Sequence, residues 1–142
     1  MIIAVGSTFN ALKTKEEIIE YLKLWGHEIV DCGATLEDKS EYTKYAYLVS
    51  KAVANKDAVR GILVSETGIE MSIVANKIKG IRAARCVDWR DAAFCRELLS
   101  SNVLCIGENV DVWQVVDSWL AVEFNRQNEE TVMQISQIES IE

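Results

Sequence analysis

The chain has 142 residues, 49% of them apolar, which fits one globular domain spanning residues 1–142 and excludes a disordered chain. Acids outnumber bases 22 to 15, for a net charge of −7 with no basic run, so nucleic acid and anionic membranes are excluded as expected partners. No apolar run approaches the ~20 residues of a membrane span, and residues 1–6 carry no basic leader, so the expected compartment is the cytoplasm.

Taken in chain order, Ile2 to Gly6 reads as a buried strand ending in glycine. Thr14 with Glu17 three residues on has the form of a capping box opening a helix, carried by Ile18, Leu22 and Trp25 and closed by Gly26. Glu28 to Asp31 is a second strand, followed by a polar loop with charge from Glu37 to Glu41. Tyr45, Leu48, Val49, Ala52 and Val53 recur at helical spacing. Gly61 to Val64 is the third strand, and Thr67-Gly68 leads from it into a helix through Ile69 and Ile73. Gly80 to Ala84 reads as the fourth strand, Asp88 as the cap of the next helix, and Asn102 to Gly107 as the fifth strand. From about Asn109 the pattern gives two helices, the first with an apolar face of Val112, Val115, Val116, Trp119 and Leu120.

Five alternations of strand and helix, with strands apolar along most of their length, predict an α/β fold with a parallel sheet covered on both faces. Ligands of such folds sit at the carboxyl ends of the strands. That selects the loops Gly6 to Asn10, Ser65 to Glu70, and Gly107 to Asn109. The second is the one with chemistry. Gly68 permits a sharp turn, Ser65 and Thr67 supply hydroxyls, and Glu66 and Glu70 are carboxylates able to carry a proton. The first amides of the following helix are expected to lack partners and to favour an oxyanion. A simpler reading is that Thr67 is an N-cap and the acids merely suit the helix dipole.

No Gly-x-Gly-x-x-Gly or Walker lysine pattern is present, so neither a nucleotide nor any other cofactor is expected. Cys32, Cys86, Cys95 and Cys105 include no Cys-x-x-Cys pair and His27 is the only histidine, so no metal site is expected and the cysteines read as dispensable reduced thiols.

The segment Gly61-Ile62-Leu63-Val64-Ser65-Glu66-Thr67-Gly68-Ile69-Glu70-Met71-Ser72-Ile73-Val74-Ala75-Asn76-Lys77, followed by Gly80-Ile81-Arg82-Ala83, resembles the ribose-5-phosphate isomerase B and galactose-6-phosphate isomerase family. The likeness extends to Ile29-Val30-Asp31 with Gly33, to Glu41-Tyr42, to Asn102-Val103-Leu104 with Gly107, and to Trp119-Leu120. It implies a Rossmann-like α/β/α sandwich with a five-stranded parallel sheet. It also implies a homodimer or homotetramer with the active site between subunits, and the C-terminal helices of residues 109–142 at that interface. The implied reaction interconverts an aldose phosphate and a ketose phosphate through an enediolate held by the Thr67-Gly68 loop.

The same alignment of motifs marks departures. In the first loop, where the family reads Gly-Cys-Asp-His, Ser7 follows Gly6, Thr8 replaces the substrate-binding acid and Phe9 the phosphate-side histidine. Ser65 replaces the base cysteine, and a glutamate used as base by some members falls at Met71. Leu98 and Leu99 replace the ring-opening histidine and the asparagine after it. Of the phosphate-binding Gly-Arg-His segment only Arg126 is basic.

The catalytic candidates are therefore Ser65, Glu66, Thr67 and Glu70. The substrate-binding candidates are Ser7, Thr8, Phe9, Tyr42, Gly68, Leu98, Asn102 and Arg126. Three functions fit: an isomerase of a small phosphorylated sugar with a shifted catalytic set, a subunit completed by a paralogous chain, or a non-catalytic sugar-phosphate binder.

Overall fold

The structure is a computed structural model, and it describes residues 1–141. Five strands, β1 (Ile2–Ser7), β2 (Glu28–Asp31), β3 (Arg60–Ser65), β4 (Ala83–Arg85) and β5 (Val103–Gly107), form one parallel sheet in the order β2-β1-β3-β5-β4. Helices α1 (Leu12–Leu24), α2 (Tyr42–Ala54), α3 (Ile69–Ala75), α4 (Trp89–Leu99), α5 (Val112–Ala121) and α6 (Glu129–Ile141) follow the strands or close the chain. The architecture is the expected Rossmann-like α/β/α sandwich. None of the helices is long and apolar enough to cross a membrane, among the described residues.

The period-two geometry of strands divides the core. Ile3, Val5, Ile62, Val64, Leu104 and Ile106 point to one face, where α1, α4 and α5 cover them with Ile18, Leu22, Ala92, Val115 and Trp119. Ala4, Leu63, Val103 and Cys105 point to the other, under Ala46 and Val49 of α2 and Met71 and Ala75 of α3. The second face is built from small residues because α2 lies close to the sheet. A Cβ on Gly61 would stand 2.6 Å from Val49 Cγ1.

Some element boundaries differ from the sequence reading. The first helix starts at Leu12, straight out of a 3₁₀ turn at Phe9–Ala11, with Ala11 at the cap and no capping side chain. Thr14 lies inside the helix, and its hydroxyl donates to Glu108 Oε2 at 2.5 Å instead of closing a capping box. The fourth strand begins only at Ala83. Gly80 turns the chain with φ +86°, and two side-chain amides bracket the approach. Asn102 bonds Gly80 O and Arg82 N, and Asn76 bonds both backbone groups of Ala83. Asp88 caps α4 as expected, accepting from the amides of Arg90 and Asp91.

The apolar face of α5 turns inward: Val115, Val116 and Trp119 are fully buried, and Val112 and Leu120 pack against the same core. On α6, by contrast, no side chain is buried and Met133, Ile135, Ile138 and Ile141 are exposed; single exposed apolar residues also occur elsewhere, at Leu24, Trp25, Leu36 and Ile73. The cysteines are free thiols. Cys105 is sealed in the sheet, and Cys86 and Cys95 pack with their sulfurs 3.7 Å apart.

Candidate active site

The carboxyl ends of β1, β3 and β5 lie side by side, with Ser7 opposite Val64 and Ser65 opposite Gly107. The loop after β3 is fastened on every side. Ser65 Oγ accepts the Gly68 amide at 2.8 Å. Gly68 adopts φ +77°, and a Cβ there would sit 3.0 Å from the Ile106 backbone, so only glycine satisfies both the turn and the close approach to β5. Arg85 Nε donates to Thr67 O at 2.8 Å. The Glu108 amide donates to Ser65 O and Glu66 O, both at 3.2 Å.

Within this frame Thr67 and Glu70 form a pair. The Thr67 hydroxyl accepts from the Ile69 amide and donates to Glu70 Oε2, each at 3.2 Å. The expectation of unpartnered amides at the start of α3 holds for Glu70 and Met71 and is corrected for the two amides before them. The Gly68 and Ile69 amides are taken by the hydroxyls of Ser65 and Thr67, because short side chains at a loop-to-helix junction reach the nearest backbone donors. Glu70 is half-buried beside its threonine, whereas Glu66 is exposed. Met71 is fully buried in the core, so that position offers no acid.

The neighbouring strand end adds Ser7, whose buried hydroxyl has no hydrogen-bond partner. Thr8 donates its amide to Val64 O at 3.0 Å, which ties the first loop to β3. Lys15, buried in α1, anchors the end of β2 beside it, bonding Asp31 Oδ1 and Ala34 O, each at 2.6 Å. Phe9 carries the Lys39 ammonium 4.6 Å above its ring.

Other candidates make no bond to this loop. Tyr42 is exposed at the first turn of α2, and Leu98 is half-buried in the last turn of α4. Arg126 lies in a 3₁₀ turn between α5 and α6, mostly exposed and paired with Glu129 at 2.9 Å. None of the three bonds to the Ser65–Glu70 loop within the chain. Asn102 is a correction. It precedes β5 at the amino end of the sheet, opposite the loop, and its amide is spent on Gly80 and Arg82. His27 is also at that end, 3.2 Å from the terminal amine. Burial and that amine hold its imidazole below the usual range.

Several residues at the site carry no motif. Arg85 and Thr14 are distant in sequence from the loop they brace, directly or through Glu108. Lys39 lies in the charged stretch after β2, and only the fold brings it over Phe9. Glu108 had one usable signal, its place directly after the glycine of the fifth strand.

A covered parallel sheet with a hydroxyl–carboxylate pair on a braced loop at its carboxyl edge is an arrangement that can hold and move a proton. The chain belongs to the ribose/galactose isomerase family, whose profile matches residues 3–138. It is 35% identical to ribose-5-phosphate isomerase B of Escherichia coli K12 over 126 residues, covering 86% of this chain and 85% of that protein. It is 29% identical to galactose-6-phosphate isomerase subunit LacB of Clostridium acetobutylicum over 144 residues, covering 97% and 83%. The solved structure of ribose-5-phosphate isomerase B from Clostridium thermocellum superposes with a TM-score of 0.93 at 35% identity, over 99% of this chain and 98% of that one. Sugar-phosphate isomerisation is the activity these relationships support at the level of the family.

Proposed function

We propose that the chain is an aldose–ketose isomerase of a small phosphorylated sugar in which Glu70 is the base. The observation that carries this reading is the half-buried Glu70 carboxylate bonded to the Thr67 hydroxyl on a loop fixed by Arg85, Glu108 and Gly68. Glu70 takes the proton from C2 of the aldose, and the C–H electrons form the C1–C2 double bond. The carbonyl electrons pass to O1, giving an enediolate. The Thr67 hydroxyl turns from Glu70 to that oxygen once the carboxylate is protonated. Moving the hydroxyl proton from O2 to O1 and returning the carbon-bound proton to C1 yields the ketose. Ser65 holds the loop through the Gly68 amide. Its buried hydroxyl lacks a neighbouring base that would make it a proton acceptor.

Phosphate recognition falls to Lys39 above Phe9 and to a second subunit. An oligomer, dimer or tetramer, fits the exposed apolar side of α6 and the largely exposed Arg126 just before it, whose one ion pair is to Glu129 on the surface. A paralogous partner is the second reading. It is favoured by the relative named as a subunit of galactose-6-phosphate isomerase.

The substrate follows from what this chain lacks. Its one imidazole is at the wrong end of the sheet, and Leu98 cannot move a proton, so ring opening has no catalyst here. The favoured substrate is already open-chain: a four-carbon sugar phosphate whose esterified terminal hydroxyl cannot close a five-membered ring. A substrate panel on the purified homomer tests this. Four-carbon phosphates are expected to turn over faster than ribose 5-phosphate. The reverse order would refute the assignment, and turnover of neither would favour the partner-dependent subunit.

A further inference from the structure

The amino end of the sheet, opposite the Ser65–Glu70 loop, holds a polar concavity. It has a volume of about 440 Å³, and Lys56, Arg60, Arg82, Arg96, Ser100 and Asn102 supply its polar lining. No acidic residue lines it. Arg60 and Arg96 are more than nine-tenths buried, with 9% and 7% exposure. None of the three arginines forms an ion pair among the described residues.

Each guanidinium spends one donor on a backbone carbonyl: Arg60 on Trp119 O at 3.1 Å, Arg82 on Ser100 O at 2.9 Å, and Arg96 on Ser101 O. For Arg82 and Arg96 that is ordinary neutralisation of the α4 carboxyl end. It leaves the rest of each donor fork unused, and Arg96 Nε is buried with no partner. Burial and the like charge of Arg96 pull the Arg60 pKa down to about 10, against partial relief from Glu123. Glu139, the acid that relieves Arg82, bonds the Gly80 amide instead at 2.6 Å. Glu123 relieves Arg96 as it does Arg60, but no acid among the described residues pairs with any of the three directly, and an anion bound among them offsets the remaining cost of burial.

We propose that this concavity is a binding site for a small phosphate-bearing anion. Planar guanidinium forks match phosphate oxygens bidentately, and Lys56 at the rim adds a point charge. The volume admits a phosphate with a body the size of a small sugar. The chain's net charge of −7 disfavours an extended polyanion.

The test is calorimetric titration of the intact protein with inorganic phosphate, repeated with a small phosphomonoester. The variants are Lys56→Glu, which alters an exposed side chain, and Arg82→Gln, each checked for native circular dichroism. Saturable phosphate binding is expected, weakened about tenfold or more by either variant, with isomerase turnover unaffected by Lys56→Glu. Tighter binding of the phosphomonoester than of free phosphate, itself weakened by Lys56→Glu and Arg82→Gln, would identify an organic phosphate as the preferred occupant of this concavity. Absence of saturable binding, or binding indifferent to both variants, would overturn the site. The calorimetric result stands whether or not the chain proves to be an isomerase.

Discussion

Helices α5 and α6 are neighbours in sequence with opposite fates. Both carry β-branched apolar residues at helical spacing. In α5 these residues meet the sheet, and Trp119 ends fully buried with its indole N–H 3.4 Å from Ser101 Oγ. In α6 they meet the chain only along one side, where Ile135 and Ile138 face Ile78 and Ile81 across a concavity and Glu139 bonds the Gly80 amide, and Ile138 remains 57% exposed. Within one chain the sheet, both covering layers and the Ser65–Glu70 loop are closed by buried contacts, while no side chain of the last helix is buried. The proposed oligomer assigns Arg126, just before α6, to a site on another copy.

The finished half of the molecule carries the largest predicted effect. Glu70→Gln removes the proposed base but keeps the shape and a hydrogen bond to Thr67. Turnover is expected to fall by about 10²–10⁴-fold, the usual contribution of a positioned acid–base group. Glu66→Gln, on the exposed carboxylate, is expected to retain most activity. Steady-state rates on the best substrate of the panel decide, and equal losses from the two variants would remove Glu70 from its role.

Stability sharpens the contrast between the helices. Trp119→Ala leaves a cavity under Arg60 and is expected to cost about 3–5 kcal/mol. Ile138→Ala is expected to stay within about 0.5 kcal/mol when measured at low concentration, where the chains are apart. At high concentration the same variant, or more strongly the pair Ile135→Asp and Ile138→Asp, should weaken self-association in light scattering. A parent chain that scatters as a 15.9 kDa monomer at micromolar concentration would break this account of α6.

The sequence carries most of the fold because apolar periodicity survives in every core element. Strand periodicity of two divided Ile62 and Val64 from Leu63, and the glycine after Trp25 ended α1 as expected. Strand four was misplaced because Asn76 and Asn102 replace ladder pairing there, and side-chain amides leave no periodic trace. The site was legible only where it is contiguous. Ser65, Thr67, Gly68 and Glu70 lie within six residues of one another, so their geometry follows from one turn. Asn102 is adjacent in sequence to a strand that ends at the site, and it lies at that strand's other end. Lys39 and Arg85 become visible only when non-adjacent loops meet.

Lys39 offers a smaller and more specific probe. If its ammonium above Phe9 binds phosphate, Lys39→Gln should raise KM several-fold for a phosphorylated substrate with kcat little changed. That pattern marks binding shared by ground and transition states. An unaltered KM would leave phosphate recognition to the second subunit alone.

The smallest effect concerns the loop that presents Lys39. Asp38 accepts from Lys44 Nζ at 2.9 Å and from Ser40 Oγ at 2.8 Å, and these bonds pull its carboxyl pKa down to about 2. The same pair raises the Lys44 ammonium above its ordinary value. The signs define a window. The Asp38 contribution is fully present above its unfolded pKa of about 4 and fades as pH falls towards 2. The Lys44 contribution is fully present below its unfolded pKa of about 10 and fades as pH rises through its raised folded value. Both groups are at the surface, so salt screens the pair and the effect on global stability is slight. Lys44→Gln should return the Asp38 midpoint towards the ordinary carboxylate range, read from its side-chain carbon shift by NMR, and should loosen residues 35–40 enough to change the KM effect of Lys39. An Asp38 midpoint that stays near 2 in the variant would mean that Ser40 and the loop backbone, rather than Lys44, hold the carboxylate, and that the Lys39 loop keeps its shape without the ion pair.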